Sequence, residues 1–195
     1  MKKVLQCIAV SVALTTLSGG AVFSQETAYV IDKDHSRMDF SFRSTLHRVE
    51  GEVHGFEGIF HGRPELTYLT DGEVDIKTQS LDTNHPERNE HMYHMFDSEH
   101  FPRIHYQLSE VVGLPAVDGP AGQMILKGML TIKDLKKPVE IPANIEKTSA
   151  GLIVKGGVDL SLKDFHLKPP SVLVLIRVFD TVHVDFQILL TEEGS

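Results

Sequence analysis

Histidine is the residue type most able to support metal binding or catalysis in this sequence, because the chain contains eleven histidines. Five of them fall within one short segment that also holds carboxylates: His85, His91, His94, His100 and His105. His91 and His94 have the i, i+3 spacing that could place two imidazoles side by side on a helix as ligands for zinc or copper. The spacing matches no complete ligand set, so we predict no native metal site. A histidine-dependent metal-binding or stress protein is the alternative.

A hydrolytic site is the second chemical possibility, since aspartate, histidine and serine are adjacent in Asp34-His35-Ser36. Neighbouring side chains on an extended chain point to opposite faces, so this tripeptide cannot form a proton relay by itself. The sequence also lacks a G-x-S-x-G elbow, a phosphate-binding loop and a dinucleotide fingerprint. We therefore predict that the protein is not an enzyme and has no catalytic residues, with a small hydrolase as the alternative.

Charge and cysteine content exclude further classes of function. The chain has 27 acidic against 19 basic residues, a formal net charge of −8, and no long basic run. Such a chain is a poor partner for a phosphate backbone, so we predict no nucleic-acid partner. The single cysteine, Cys7, lies in an N-terminal segment that we expect to be removed. Disulfides, thiolate metal sites and cysteine nucleophiles are then excluded from the mature protein.

Residues 1–24 have the layout of a cleaved secretory signal peptide. Lys2 and Lys3 precede an uncharged apolar stretch, and Val22-Phe23-Ser24 resembles a cleavage site. The apolar stretch is too short to span a bilayer, and no other segment reaches the required length. We predict a periplasmic or secreted protein without stable membrane insertion, whose mature chain, residues 25–195, is a single domain.

The elements that must position any site are strands, because hydrophobic residues recur with a period of two from Tyr29 onward. Seven strands are clear, and a weaker, glycine-rich one over residues 52–60 would make about eight. The clear strands cover residues 38–42, 74–76, 104–108, 126–132, 139–145, 154–162 and 182–190. Short turns join them without a domain boundary. We predict an all-β antiparallel barrel, because closure leaves no sheet edge exposed.

Two segments depart from this alternation. Residues at about 84–96 predict a short amphipathic helix, with Asn84 as its cap, an early proline and an apolar side formed by Met92, Met95 and Phe96. The run Val172–Ile176 is apolar at every position, so one set of its side chains must point away from the barrel interior. We predict that the helix, a loop or a second subunit covers this set, which makes a homodimer one expected arrangement.

The apolar faces of the strands are the third candidate for a function. A closed barrel of eight strands is just wide enough to be filled with side chains or to hold one slim ligand. Gly128 and Gly156 stand in the apolar register of their strands, where a missing side chain would leave room along the axis. The pattern alone leaves open a ligand cavity and a filled barrel that acts through a protein partner.

A series of short motifs resembles the YceI-like family over about residues 29–190. The first strand of that family is similar to Tyr29-x-Ile31-Asp32-x-x-His35-Ser36 with Met38-x-Phe40. Its middle part is similar to Ser80-Leu81-Asp82-Thr83, Arg88-Asn89-x-His91-Met92 and Phe101-Pro102-x-Ile104. Its second half is similar to Leu126-x-Gly128-x-Leu130-Thr131-Ile132, Lys137-Pro138-Val139, Asp164-Phe165 and Asp180-x-Val182. Leu162-Lys163-Asp164-Phe165-His166 lacks the arginine and the final glycine of the family's R-x-D-F-G.

The resemblance implies an extended, lipocalin-like, eight-stranded antiparallel barrel with one short helical insertion. Characterised members of the family are similar to carriers that hold an isoprenoid or another amphiphile in the lumen, often in the bacterial periplasm. The resemblance therefore favours an exported, non-enzymatic carrier of an isoprenoid-type or fatty amphiphile. No cofactor is required beyond the bound lipid. The expected lumen wall is Met38, Phe40, Phe42, Ile104, Tyr106, Gly128, Leu130, Gly156, Val158, Leu160, Val184 and Phe186. The expected entrance is Met92, Met95 and Phe96, since flexible methionines adapt to ligand shape.

Overall fold

A computed structural model describes residues 26–63, 68–113, 122–169 and 178–194. The predicted signal peptide, residues 1–24, and the apolar run Val172–Ile176 lie outside these ranges, so the predictions made for both stay predictions. No helix within the described ranges is long and apolar enough to cross a membrane.

Ten antiparallel strands form one closed sheet within the described residues. They are β1 (Thr27–Ser44), β2 (Arg48–Val53), β3 (Phe56–Arg63), β4 (Tyr68–Lys77), β5 (Leu81–Asp82), β6 (Arg103–Val112), β7 (Gly122–Ile132), β8 (Leu135–Thr148), β9 (Gly151–Ser161) and β10 (Val178–Glu192). The sheet closes because β10 pairs with β1 from Tyr29 to Ser44. Eight strands, all but β2 and β5, make the closed wall. The predicted eight-stranded all-β barrel is confirmed.

The long strand β1 has different partners along its two halves. Its first residues pair with β3, and residues 39–43 pair with β2, to which the short β5 is added. The weak strand predicted over residues 52–60 is therefore wrong: it is two strands separated by His54 and Gly55. Gly55 sits against Ser80, and an added Cβ would lie 2.8 Å from the Ser80 Cβ. At this close approach the chain passes from β2 to β3, which pair with different halves of β1.

The predicted helical insertion is confirmed as α1 (Pro86–Phe96), but its capping residue is not the predicted one. Asn84 lies outside the helix with a positive φ of 56°, and its N–H donates to Asp82 Oδ1 at 2.7 Å. His85 is the N-cap and makes no side-chain capping bond. Pro86 occupies the first turn, where its missing N–H costs nothing. The helix ends at Phe96, and the C-cap residue Asp97 that follows adopts the left-handed conformation.

Burial along the inner faces changes from one end of the barrel to the other. On β10, Ile188 and Leu190 are buried, whereas Val184 and Phe186 on the same face are only partly buried. On β9, Val154 is buried while Val158 and Leu160 are only partly buried. Because these side chains share one inward face, the remaining exposure is towards an internal space. The barrel is filled at one end and hollow at the other.

The hollow end carries α1 and the turn between β1 and β2, residues 45–47, together with a short 3-10 helix over Leu162–Phe165. We call this end the mouth. The opposite, filled end is closed by fully buried side chains that include Leu69, Met124 and Leu190. The topology therefore positions any internal site between a packed floor and a rim built by one helix and two connecting segments.

Candidate functional site

The internal space is a cavity of about 510 Å³ that runs along the barrel axis. All eight wall strands and α1 contribute to its lining. On β10 the lining residues that are only partly buried extend from Val178 to Phe186, which corresponds to about 20 Å along the axis at ~3.3 Å per residue and ~40° tilt. The cavity is thus long and slender.

Most of the residues predicted for the lumen do line this cavity. Those on the wall are Met38, Phe40, Phe42, Ile104, Tyr106, Leu130, Val158, Leu160, Val184 and Phe186, and those near the mouth are Met92, Met95 and Phe96. Gly128 and Gly156 are not among the lining residues. Whether the lining side chains contact a ligand stays a prediction.

The expectation that Gly128 and Gly156 leave room along the axis is wrong, because aromatic rings occupy that room. An added Cβ at Gly156 would lie 2.8 Å from Phe186 Cζ and 2.7 Å from the Pro142 carbonyl oxygen. At Gly128 it would lie 2.6 Å from Tyr106 Cε2 and would collide with the Gln107 carbonyl oxygen. Each ring therefore occupies the space beside the glycine of the neighbouring strand.

The same arrangement occurs at two further places in the sheet. Phe40 is opposite Gly51 in the sheet, and Phe60 is opposite Gly72. An added Cβ would lie 2.7 Å from Phe40 Cε1 and 2.7 Å from Phe60 Cγ. A ring that covers a glycine across a strand pair is held against the sheet rather than pointing at the barrel axis. The glycines therefore keep the lumen open indirectly, by giving large side chains a place along the wall.

The mouth is the polar part of the cavity lining. The polar residues there are Ser44, His47, His85, Glu87, Arg88, His91 and Ser161. Arg88 is fixed by hydrogen bonds from Nε to Thr83 Oγ1 and from Nη2 to the Thr83 carbonyl oxygen, both at 2.9 Å. Sequence analysis missed these residues as a group, because only the fold brings the β1–β2 turn, the first turns of α1 and the end of β9 together.

Several of the family-like motif residues attach α1 to the barrel. Asn89 Oδ1 accepts hydrogen bonds from the Thr83 N–H at 2.9 Å and from Thr83 Oγ1 at 2.6 Å. Asn89 Nδ2 donates to Asp82 Oδ1 at 2.7 Å, and this hydrogen bond lowers the pKa of Asp82. The Tyr93 hydroxyl donates to the Leu81 carbonyl oxygen at 2.9 Å. These bonds hold α1 over the mouth.

One polar group lies deep in the cavity wall. Tyr106 is 9% exposed, and its hydroxyl oxygen has no hydrogen-bond partner within the described residues. Burial among apolar side chains raises the pKa of this phenol, so the group stays neutral. The charged and ionisable lining residues of the described chain are at the mouth, and the deeper wall presents carbon and one neutral hydroxyl.

The Asp34-His35-Ser36 tripeptide forms a bulge rather than a relay. The register of β1 against β10 shifts between residues 32 and 37. Asp32 Oδ2 pairs with His35 Nδ1 at 2.8 Å, which lowers the pKa of Asp32. Ser36 Oγ accepts a hydrogen bond from the Leu189 N–H at 2.9 Å. The serine oxygen is therefore used to hold the two strands together across the bulge.

Histidines on the barrel exterior are paired with aspartates instead of with one another. Three pairs join adjacent strands: His61–Asp71 at 2.7 Å, His105–Asp75 at 3.3 Å and His183–Asp159 at 2.7 Å. The aspartate hydrogen bonds raise the pKa of His61 and of His183. In the part of the chain that the structure describes, no group of three or more histidine, cysteine, aspartate or glutamate side chains is placed to hold a metal ion.

Comparison with known proteins identifies relatives along nearly the whole chain. UPF0312 proteins from Vibrio cholerae and from Pseudomonas syringae are 28% identical over 182 residues and 29% identical over 189 residues. These alignments cover 86% and 88% of this chain and 90% of each relative.

Two solved structures share the fold. BcnA of Burkholderia cenocepacia has a TM-score of 0.67 at 17% identity, covering 81% of this chain and 98% of that one. A polyisoprenoid binding domain from Saccharophagus degradans has a TM-score of 0.68 at 16% identity, covering 85% and 99%. The profile of the YceI-like domain matches residues 29–190, in agreement with the motifs and the closed barrel. The chain belongs to the YceI-like family.

Proposed function

We propose that the protein is an exported, non-enzymatic carrier that holds one isoprenoid or other long-chain amphiphile in its barrel. The observation that carries this proposal is the slender apolar cavity of about 510 Å³, packed at its floor and open at its mouth. Ligand sites in proteins commonly have volumes of about 300–1,000 Å³. The cavity is of that size, and its length suits a chain better than a compact molecule.

The wall can supply the affinity that a carrier needs. Each buried methylene of a ligand contributes ~0.8 kcal/mol, so about 15 buried carbons give roughly 12 kcal/mol of binding free energy before the entropic cost of ordering the ligand is subtracted. The hydrocarbon part of such a ligand needs no charged protein group along its length. The flexible Met38, Met92 and Met95 side chains can adapt to branched or straight ligands.

The mouth is where a polar head group would lie. Arg88 and the neighbouring histidines of the lining present hydrogen-bond donors there, while the deeper wall is apolar. A polyisoprenoid is the first ligand class to test, since the structurally similar domain from Saccharophagus degradans is described as polyisoprenoid binding. A fatty chain with a polar end meets the same physical requirements.

Export is the second part of the proposal, and it is supported by the signal-like layout of residues 1–24. N-terminal sequencing of protein from the periplasmic or extracellular fraction should find a chain that begins near Gln25. Recovery of the protein in the cytoplasmic fraction with Met1 still present would contradict export.

Native mass spectrometry tests the carrier function. Protein isolated from its own compartment should carry an added mass that is lost on denaturation, and the extracted material should be an isoprenoid or fatty amphiphile. Delipidated protein should regain an added mass when mixed with a polyprenol. Protein that is free of lipid on isolation and takes up neither a polyprenol nor a fatty acid would refute the proposal.

A further inference from the structure

The turn between β1 and β2 projects an apolar side chain at the mouth of the barrel. Leu46 is 68% exposed although it belongs to the cavity lining. The turn is closed by the Ser44 N–H, which donates to the His47 carbonyl oxygen at 2.9 Å. The Leu46 N–H donates to Ser44 Oγ at 3.3 Å. These bonds fix the backbone of the turn, and the Leu46 side chain remains largely exposed at the edge of the cavity.

A second exposed apolar side chain lies beside this turn. Phe179 is 52% exposed and follows Val178, which pairs with Ser44 across the β10–β1 seam. Leu46, Phe179 and Val112 are the large hydrophobic residues that are exposed in the described chain. Val112 ends β6 at the opposite, filled end of the barrel. The two most exposed of the three therefore share the rim of the mouth.

The same turn is locally basic in a protein of net charge −8. Arg43 and Arg48 flank Leu46, and no acidic residue occurs between Asp39 and Glu50. Arg43 is exposed, and within the described residues no carboxylate lies within ion-pair distance of it. Arg48 pairs with Glu50 at 3.6 Å and donates from Nη2 to Ser41 Oγ at 2.7 Å. Glu87 is the carboxylate among the cavity-lining residues of the described chain. Positive charge is thus concentrated around the exposed leucine.

We propose that this rim, formed by residues 43–48 and Phe179, docks the mouth of the barrel onto an anionic lipid bilayer. Leu46 and Phe179 would enter the interfacial layer, and Arg43 and Arg48 would contact lipid phosphates. Exposed apolar residues combined with basic ones bind anionic membranes peripherally and reversibly. This role rests on the proposed function. Docking would let the apolar chain of a lipid ligand pass between the bilayer and the cavity without crossing water.

A single tryptophan at the rim tests the contact, because the chain has no natural tryptophan. Leu46→Trp should show a blue-shifted emission when vesicles of phosphatidylcholine with phosphatidylglycerol are added, and a smaller shift with phosphatidylcholine alone. Val112→Trp, at the opposite end, is the matched control and should not shift. Equal shifts for both variants, or none for either, would overturn the proposal.

Charge reversal tests the basic part of the rim. Each arginine near an anionic surface is worth about a fivefold change in partitioning, so Arg43→Glu should weaken vesicle sedimentation at least about fivefold. Arg63→Glu makes the same change at the exposed end of β3, far from the mouth, and should sediment like the unmodified protein. Added salt should weaken binding of the unmodified protein. Equal losses for both variants would contradict docking through the rim.

The alternatives give different results in the same experiments. If the rim instead joined two copies of the chain, Leu46→Ser would convert a dimer to a monomer in light scattering without vesicles, and the proposal would fail. Failure of the carrier function would leave the vesicle results unchanged and remove only the bound lipid in native mass spectrometry. Failure of docking would leave the bound lipid in place and abolish the vesicle response.

Discussion

Filling the hollow half of the barrel should remove ligand without unfolding the protein. Val158 is only partly buried, lines the cavity and pairs with Val184 across the β9–β10 ladder. Replacing it with phenylalanine adds about four carbons, which displace a similar number of ligand carbons at ~0.8 kcal/mol each. The loss of about 3 kcal/mol corresponds to roughly two orders of magnitude in Kd. Native mass spectrometry should find much less bound lipid.

The stability of the delipidated variant decides whether the space is empty. In a cavity the larger side chain costs little, whereas in a packed core it costs ~1–3 kcal/mol. Leu152→Phe is the matched control, because Leu152 lies on the same strand and face but at the filled end, 2% exposed. The control should lower Tm by about 2–10 °C, and Val158→Phe should not. A Val158→Phe variant that melts as early as the control and keeps its lipid would refute the cavity.

Three further outcomes follow from particular contacts. Gly128→Ala should lower the free energy of unfolding by ~1–3 kcal/mol in denaturant titrations, because its Cβ meets the Gln107 carbonyl oxygen; a neutral result would contradict the tight packing. The raised pKa of His61 and of His183 means that their ion pairs stabilise the fold fully below about pH 6.5 and less as pH rises through the folded-state pKa. Tm should therefore fall as pH rises above about 6.5. It should fall less in a variant with both His61 and His183 replaced by glutamine, and identical pH profiles for the two proteins would disprove the contribution. Asn89→Ala should speed hydrogen exchange in α1, since it removes the bonds to Thr83 and Asp82, and unchanged protection would show that α1 is held otherwise.

The sequence pattern was sufficient for the parts of the fold that depend on one strand or helix at a time. Alternation identified the seven clear strands, and the spacing of Met92, Met95 and Phe96 identified α1. The same alternation selected ten of the twelve predicted wall residues correctly, because side chains two apart share a face. Closure followed from the need to protect sheet edges.

Features that depend on neighbours from distant strands could not be predicted. The room left by Gly156 is filled by Phe186, and only the β9–β10 register brings the two residues opposite each other. The exterior pair His61–Asp71 likewise requires the register of β3 against β4. The break at Gly55 depends on contact with Ser80, 25 residues later. In each case the deciding partner is remote in sequence.

Methionine methyl groups offer the most direct test of a ligand inside the barrel. Met38, Met92 and Met95 line the cavity, whereas Met124 is fully buried at the filled end and Met129 is outside the lining. Delipidated protein labelled with carbon-13 at the methionine methyls can be titrated with farnesol, a short isoprenoid alcohol, and followed by NMR. Shifts confined to Met38, Met92 and Met95 are the predicted result. Shifts at Met129 with none at the three cavity methionines would place the ligand on the exterior and contradict a lipid-carrying lumen.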